Sequence, residues 1–265
     1  FDYGNIHFIV LNSFDEDRDV GSTMYQWAEN DLQSTTQKWI VALWHHPPYS
    51  KGYHTSEGVQ SNGQPAEIEL IEMRQNFNPL MEQYGVDVVM GGHTESYERS
   101  FFINGHYGES ASFNTSTHII GANGGGSGQT TGANATGAYS KPTTGIDAGK
   151  GTVYVVNATA SQVLYGLPLD HNAMYYSVSQ YGSCVLEVDG DNLTCKFLRD
   201  NGNIDDYFTL IKSSASQTWY EDFDGDNFGN PSVTQDAVSQ PAGYVSDNTD
   251  CDDNDADEFP GQTWY

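Results

Sequence analysis

The sequence predicts an α/β fold followed by a small, separate acidic unit, and three observations lead there. Trp39–Trp44 and Val86–Met90 are short, nearly continuous apolar runs. Such runs suit parallel strands buried on both faces. Segments with helical spacing, 22–34 and 66–84, separate the strand candidates, and strand–helix–strand alternation is the α/β pattern. The charge is also uneven. Residues 1–216 hold 24 acidic and 10 basic residues, whereas residues 217–265 hold 12 acidic residues and no Lys or Arg. A segment without a cation is a unit of its own by composition. It repels itself unless divalent cations neutralise it, disorder being the alternative.

The elements follow in order. Ile6–Leu11 reads as the first strand, and the acidic loop Asp15–Asp19 follows it. Ser22 or Thr23 caps a helix to about Ser34, with Tyr25, Trp27, Ala28 and Leu32 as its apolar face. The strand 39–44 ends at His45-His46-Pro47-Pro48, where the prolines stop the ladder. Residues 66–84 read as a helix broken near Pro79, and the strand 86–90 runs into Gly91-Gly92-His93. Beyond about residue 100 the pattern becomes β. Residues 121–137, rich in Gly, Asn and Thr, read as a loop; no Lys-Ser/Thr follows, which argues against a phosphate-cradling loop. Strands are expected at 151–158, 183–188, 193–198 and 206–211, with a hairpin turn at Asp189–Asn192. Cys184 and Cys195 then share a face, and register decides between a disulfide and two thiols.

Composition sets limits on function. A net charge of −26 over 265 residues excludes a basic nucleic-acid face. No run approaches the ~18 apolar residues of a membrane span. Aromatic residues at 13% argue for a packed core. Both ends read as cuts. Phe1 enters directly on a strand, and Gln217-Thr218-Trp219-Tyr220 recurs as Gln262-Thr263-Trp264-Tyr265, so a further repeat is expected to begin at 262–265. The expected division is 1–212 for the first domain and 213–265 for the acidic repeat.

Two histidine clusters stand where buried strands end: His45-His46, and His93 with Glu95. Ligands in open α/β sheets collect at the carboxyl ends of strands. Imidazole and carboxylate suit zinc, iron or manganese, although ordinary loop histidines are the plain alternative.

These residues carry a resemblance. Trp39–Ser50, with Trp44-His45-His46-Pro47-Pro48, resembles the V-x-x-H-x-P segment of calcineurin-like metallophosphoesterases. Gly92-His93-Thr94-Glu95-Ser96-Tyr97-Glu98-Arg99 resembles the G-H-x-H-x-Y-E-R block of the purple acid phosphatase branch, and the likeness extends over about 1–212. It implies part of an α/β/β/α double-sheet sandwich with a dinuclear site of Fe, Zn or Mn. His45 and His93 are then expected on one metal, with Glu95 at the position of a histidine that binds the other. Two cations about 3.5 Å apart activate water and draw charge off phosphoryl oxygens. His54 and His46 are the candidate catalytic contacts to substrate, and His106 and His171 are weaker ones. His7 and His118 are expected to pack in strands, and Tyr97-Glu98-Arg99 to hold the loop. The family's other motifs, an Asp, a Gly-Asp pair with a Tyr and a Gly-Asn-His block, are not in this sequence, so this chain alone is expected to be inactive.

In the acidic segment, Asp222, Asp224 and Asp226 occupy positions 1, 3 and 5 of a loop, with the Phe228 carbonyl at 7. Position 12 is Val233 rather than a closing Glu. Asp250, Asp252 and Asp253 are therefore the suppliers of the remaining calcium ligands. W-Y-x-D-x-D-G-D, Pro241–Val245 and Asp250-Cys251-Asp252-Asp253 resemble bacterial calcium repeats related to thrombospondin type 3. Those repeats usually carry a Cys where this chain has Val238, which leaves Cys251 without a partner. The resemblance implies a secreted or cell-surface setting, with attachment through further C-terminal repeats. The expected function is hydrolysis of phosphate esters by a secreted, acid phosphatase-like dinuclear metallophosphatase. The alternative is a non-catalytic extracellular surface or adhesion protein that keeps the fold.

Overall fold

The computed structural model describes residues 1–59, 63–144, 146–212, 217–237, 240–257 and 260. It divides into two units: Phe1–Lys141 with Asp147–Lys212, and Pro142–Ile146 with Ser213–Tyr265. The expected repeat start at 262–265, and Val238, lie outside the described residues.

The first unit is mixed α/β with two sheets. In chain order its elements are β1 (Asp2–Tyr3), β2 (Ile6–Val10), α1 (Thr23–Ser34), β3 (Trp39–Leu43), α2 (Ile68–Glu72), α3 (Asn78–Gln83), β4 (Val88–Gly91), β5 (Tyr97–Ser100), α4 (Thr115–His118), β6 (Tyr139–Ser140), β7 (Val153–Asn157), β8 (Met174–Val178), β9 (Gly182–Asp189), β10 (Asn192–Arg199) and β11 (Ile204–Ile211). The larger sheet has the order β1-β2-β3-β4-β7-β5-β8, and the smaller β6-β11-β10-β9. Strands β2, β3, β4 and β7 are mutually parallel.

The apolar run of β3 is explained by its two faces. Ile40, Ala42 and Trp44 pack with Ala28 and Leu32 of α1 and with Phe77 on the helical side. Trp39 and Val41 pack with Phe197, Phe208 and Leu210 of the second sheet. Helices, large sheet and small sheet therefore form successive layers, and every β3 side chain from Trp39 to Ala42 is buried. In β9 half-buried and exposed residues alternate, as in a sheet with one solvated face.

Local chemistry sets the boundaries. The Ser22 side chain accepts the Tyr25 N–H at 3.2 Å and caps α1. The buried residues of α1 are Met24, Ala28 and Leu32. Trp27 is 52% exposed, a correction to the expected apolar face, because Met24 takes the inward position one turn before Ala28. The break near Pro79 takes the form of a π-helical segment, Met73–Phe77, between α2 and α3. Pro79 lacks the N–H that an unbroken helix would use there. Asp87, the one polar residue of the 86–90 run, is fully buried. Its carboxylate accepts the Ile40 N–H and pairs with Lys141 at 2.9 Å and Lys212 at 2.8 Å. Burial and the neighbouring Lys212, countered in part by Asp87, pull Lys141 down to about 8.

Gly190 opens the β9–β10 hairpin loop at φ 54°, the conformation a two-residue turn with Gly first requires. Register places Cys184 opposite Phe197 and Cys195 opposite Leu186. The two cysteines are thus diagonal neighbours, and both are free thiols. His118 ends α4 and is not in a strand as expected. Its Nδ1 accepts the Asn114 N–H at 2.9 Å, which closes that helical turn. His7 does lie in β2, held between Asp2 and Asp31.

In the second unit, strand β12 (Gln217–Glu221) pairs antiparallel with both β13 (Asn230–Ala237) and β14 (Tyr244–Val245). The described residues of the second unit thus include a three-stranded sheet of order β13-β12-β14.

Candidate metal centre

Strands β3 and β4 are adjacent and parallel, so the loops leaving them emerge side by side. Backbone bonds fasten the loops together: Trp44 N–H to Met90 C=O at 3.1 Å, and Gly92 N–H to His45 C=O at 2.9 Å. Gly91 lies so close to Pro47 that a Cβ there would stand 3.0 Å from the Pro47 Cα. His93 and Glu95 both have positive φ, 72° and 60°. Two non-glycine residues in that region within three positions mark a loop whose geometry is imposed from outside.

This framework brings His45 Nε2 to 2.9 Å from His93 Nδ1. His46 joins them, and ligand atoms of the three histidines lie within 4.8 Å of one another. Ser13, which the sequence reading did not single out, anchors this side. Its Oγ accepts the His45 and His46 N–H groups at 3.2 and 3.1 Å and stands 2.9 Å from His46 Nδ1. Ser13 therefore fixes both the backbone and the ring of His46.

On the other side, the His54 ring lies 4.0 Å from that of His93, centroid to centroid. Glu67, also missed in the sequence, links the pair. Its Oε2 is 2.5 Å from His93 Nε2, and its Oε1 hydrogen-bonds His54 Nδ1. His54, Glu67 and His93 form a second group with donors within 4.8 Å. Glu95 belongs to neither group; its Oε2 is buried with no hydrogen-bond partner among the described residues. Glu98 does hold the loop: it is fully buried and accepts hydrogen bonds from Ser50, Ser96 and the Lys51 N–H.

Electrostatics favour the ligating form of the imidazoles. Burial, then the neighbouring imidazoles, lowers His45 and takes His46 down to about 4. Burial also lowers His93, although Glu67 opposes it. Burial would raise Glu67, but its hydrogen bonds from His93 and His54 outweigh this and hold the carboxyl below its usual range. Near pH 7 the site offers neutral nitrogens and an ionised carboxylate. A transition metal takes such donors. Ring nitrogens bound to one ion at roughly 2.0–2.1 Å stand about 3 Å apart, which the His45–His93 separation matches. The expected placing of Glu95 beside these donors is not seen, since its carboxylate lies outside both groups.

His106 and His171 lie elsewhere, in a buried group around Tyr49. Burial, then the adjacent His118 and His171, brings His106 down to about 4. An unfolded histidine titrates near 6.5. Between these values the unfolded chain binds more protons, so the native contribution is present above pH 6.5 and is lost as pH falls through 4. Chemical denaturation is expected to show stability declining with acid by up to about 1.4 kcal/mol per pH unit from this group. His106→Gln should flatten the slope over that window.

In the second unit, Asp222, Asp224 and Asp226 converge within 4.8 Å. One oxygen of each accepts a loop N–H, from Gly225, Asp226 and Phe228 respectively. The other oxygens of Asp224 and Asp226, and one of Asp250, are buried with no hydrogen-bond partner among the described residues. Lost hydration and the charges of Asp226, Asp224 and Asp253 raise Asp250. Asp253 receives the Phe223 N–H at 2.9 Å, whereas Asp252 is exposed and turned to Asn254.

Residues 1–97 match the calcineurin-like phosphoesterase family. Over 102 residues the chain is 35% identical to probable purple acid phosphatase 20 of Arabidopsis thaliana, covering 37% of this chain and 22% of that protein. It is 36% identical over 98 residues to a purple acid phosphatase of Glycine max, covering 36% and 18%. The chain thus spans less than a quarter of the length of these relatives. Among solved structures, the purple acid phosphatase of yellow lupin (Lupinus luteus) seeds superposes with a TM-score of 0.58 at 21% identity, covering 80% of this chain and 32% of that one. The fold is accordingly similar to that of a purple acid phosphatase, consistent with a metallophosphoesterase sandwich, and residues 1–97 match the calcineurin-like phosphoesterase family, with purple acid phosphatases among the similar proteins.

Proposed function

We propose that the protein containing this chain hydrolyses phosphate esters with a dinuclear metal site of the purple acid phosphatase type. The observation that carries the reading is the 2.9 Å approach of His45 Nε2 to His93 Nδ1 at the ends of adjacent parallel strands. His45 and His93 would hold one ion, and Glu95 would contribute to the other. When bound, the ions supply an activated water and withdraw charge from the phosphoryl oxygens. His46, beside His45 and His93, would contact a substrate oxygen. His54, its ring centroid 4.0 Å from that of His93, would contact the ester or protonate the leaving alkoxide. Glu95 in place of the family's histidine is the feature that favours the second reading, a non-catalytic surface protein. The full-length parent assayed on an aryl phosphate with Fe, Zn and Mn decides between them: turnover with any of these metals supports the enzyme, and none with all three supports the surface protein. By itself this chain, without the family's other ligand motifs, is expected to show no turnover.

For the second unit we propose a calcium site of Asp222, Asp224 and Asp226, with the Phe228 carbonyl, completed by Asp250 and Asp253, and with Asp252 outside the shell. The support is the buried oxygens of Asp224, Asp226 and Asp250 that have no hydrogen-bond partner among the described residues, which a hard cation with six to eight oxygen ligands satisfies. Calcium dependence of this kind fits a secreted or cell-surface protein. Titration calorimetry on the whole chain should give calcium heat that Asp224→Ala weakens. Equal heat in wild type and variant would point to a solvated acidic segment instead.

A further inference from the structure

We infer that Glu67 is a positioning residue that fixes the tautomer of His93 and ties it to His54. The inference rests on the metal-ligand reading of His45 and His93. An ionised carboxylate only accepts hydrogen bonds. With Glu67 Oε2 at 2.5 Å from His93 Nε2, the single proton of neutral His93 belongs on Nε2. The lone pair is then on Nδ1, the atom that faces His45. Glu67 Oε1 accepts a hydrogen bond from His54 Nδ1 as well, so the same side chain holds that ring. One side chain thereby sets the orientation of two rings whose centroids lie 4.0 Å apart.

The chain is built to deliver this carboxylate. A bridge between Val59 and Pro65, with the Ala66 N–H on the Gly58 carbonyl at 3.1 Å, brings the chain back alongside the His54 segment. Glu67 follows at once, in extended conformation, immediately before α2. Carboxylates behind metal-binding histidines orient the ring and raise its basicity, and their loss typically costs about 10–100-fold in metal affinity.

The test is cobalt(II) binding by the whole chain in excess calcium, which occupies the acidic unit, for wild type, Glu67→Gln, Glu67→Ala and His93→Asn. Long-range proton–nitrogen spectra of the metal-free proteins report which ring nitrogen carries each histidine proton. Glutamine has one acceptor oxygen and cannot serve both rings. The expected result is a 10–100-fold loss of affinity in both Glu67 variants and a His93 that leaves the Nε2–H tautomer in Glu67→Ala. If His93→Asn weakens cobalt binding while both Glu67 variants match wild type, the inference is overturned and the metal reading stands. Weaker binding with an unchanged His93 tautomer would make Glu67 a direct ligand and also overturn it. If wild type binds no cobalt, the metal reading falls, and the tautomer spectra alone decide: Nε2–H in wild type, lost in Glu67→Ala, upholds the positioning role, and any other pattern overturns it.

Discussion

Replacing His93 by Asn is expected to reduce phosphatase activity of the full-length protein to background and metal affinity by more than about 100-fold. The scale follows from position. Loss of a group behind a ligand typically costs about 10–100-fold, and loss of the ligand itself costs more. Asn is the informative replacement because His93 sits at φ 72°, a conformation Asn tolerates. The variant then removes the imidazole without adding backbone strain. Metal content after dialysis and aryl phosphate turnover, read together with an unchanged thermal midpoint, separate the chemical effect from misfolding. Full activity in this variant would remove His93 from the mechanism.

The second large effect is on stability. Arg99 of β5 and Asp206 of β11 join the two sheets through hydrogen bonds of 2.7 and 2.8 Å, and the side chains are 0% and 1% exposed. Tyr97 donates to the same carboxylate at 2.9 Å, and Arg99 also reaches the Tyr139 hydroxyl at 2.8 Å. Asp206→Ala leaves a guanidinium buried without its counter-charge, which costs about 3–5 kcal/mol. Denaturant unfolding should show this loss. The double variant Arg99→Met/Asp206→Leu should recover much of it, because an apolar pair carries no desolvation cost. Removing the exposed partner in Lys38–Asp191 should matter by no more than about 1 kcal/mol. A loss below about 1 kcal/mol for Asp206→Ala would contradict the role assigned to the bridge.

The contrast between these two sites shows what a sequence discloses. His45 and His93 were legible because each directly follows a buried strand, and adjacent parallel strands carry their C-terminal ends to one place. The Asp222–Asp226 loop was legible because its spacing is local. Glu67 was not, since it reaches His93 across 26 residues from an unremarkable position before a helix. Ser13 was hidden in the same way, 33 residues from His46. The Arg99–Asp206 bridge spans 107 residues and depends on how two sheets stack, which periodicity does not encode. Trp27 misled because aromatic residues at helical spacing were read as inward-facing, whereas Met24 fills that place. His118 misled because a four-residue helix is too short to show a period.

His45 and His93 are expected to share one ion. Anomalous scattering from crystals of the full-length protein grown with manganese or zinc tests it most directly. The expected result is a peak bound by His45 Nε2 and His93 Nδ1 at roughly 2.0–2.2 Å, with Glu67 still on His93 Nε2. A peak that touches neither histidine, or ring nitrogens more than about 8 Å apart in ordered density when one ion holds its ligands at roughly 2 Å, would contradict it.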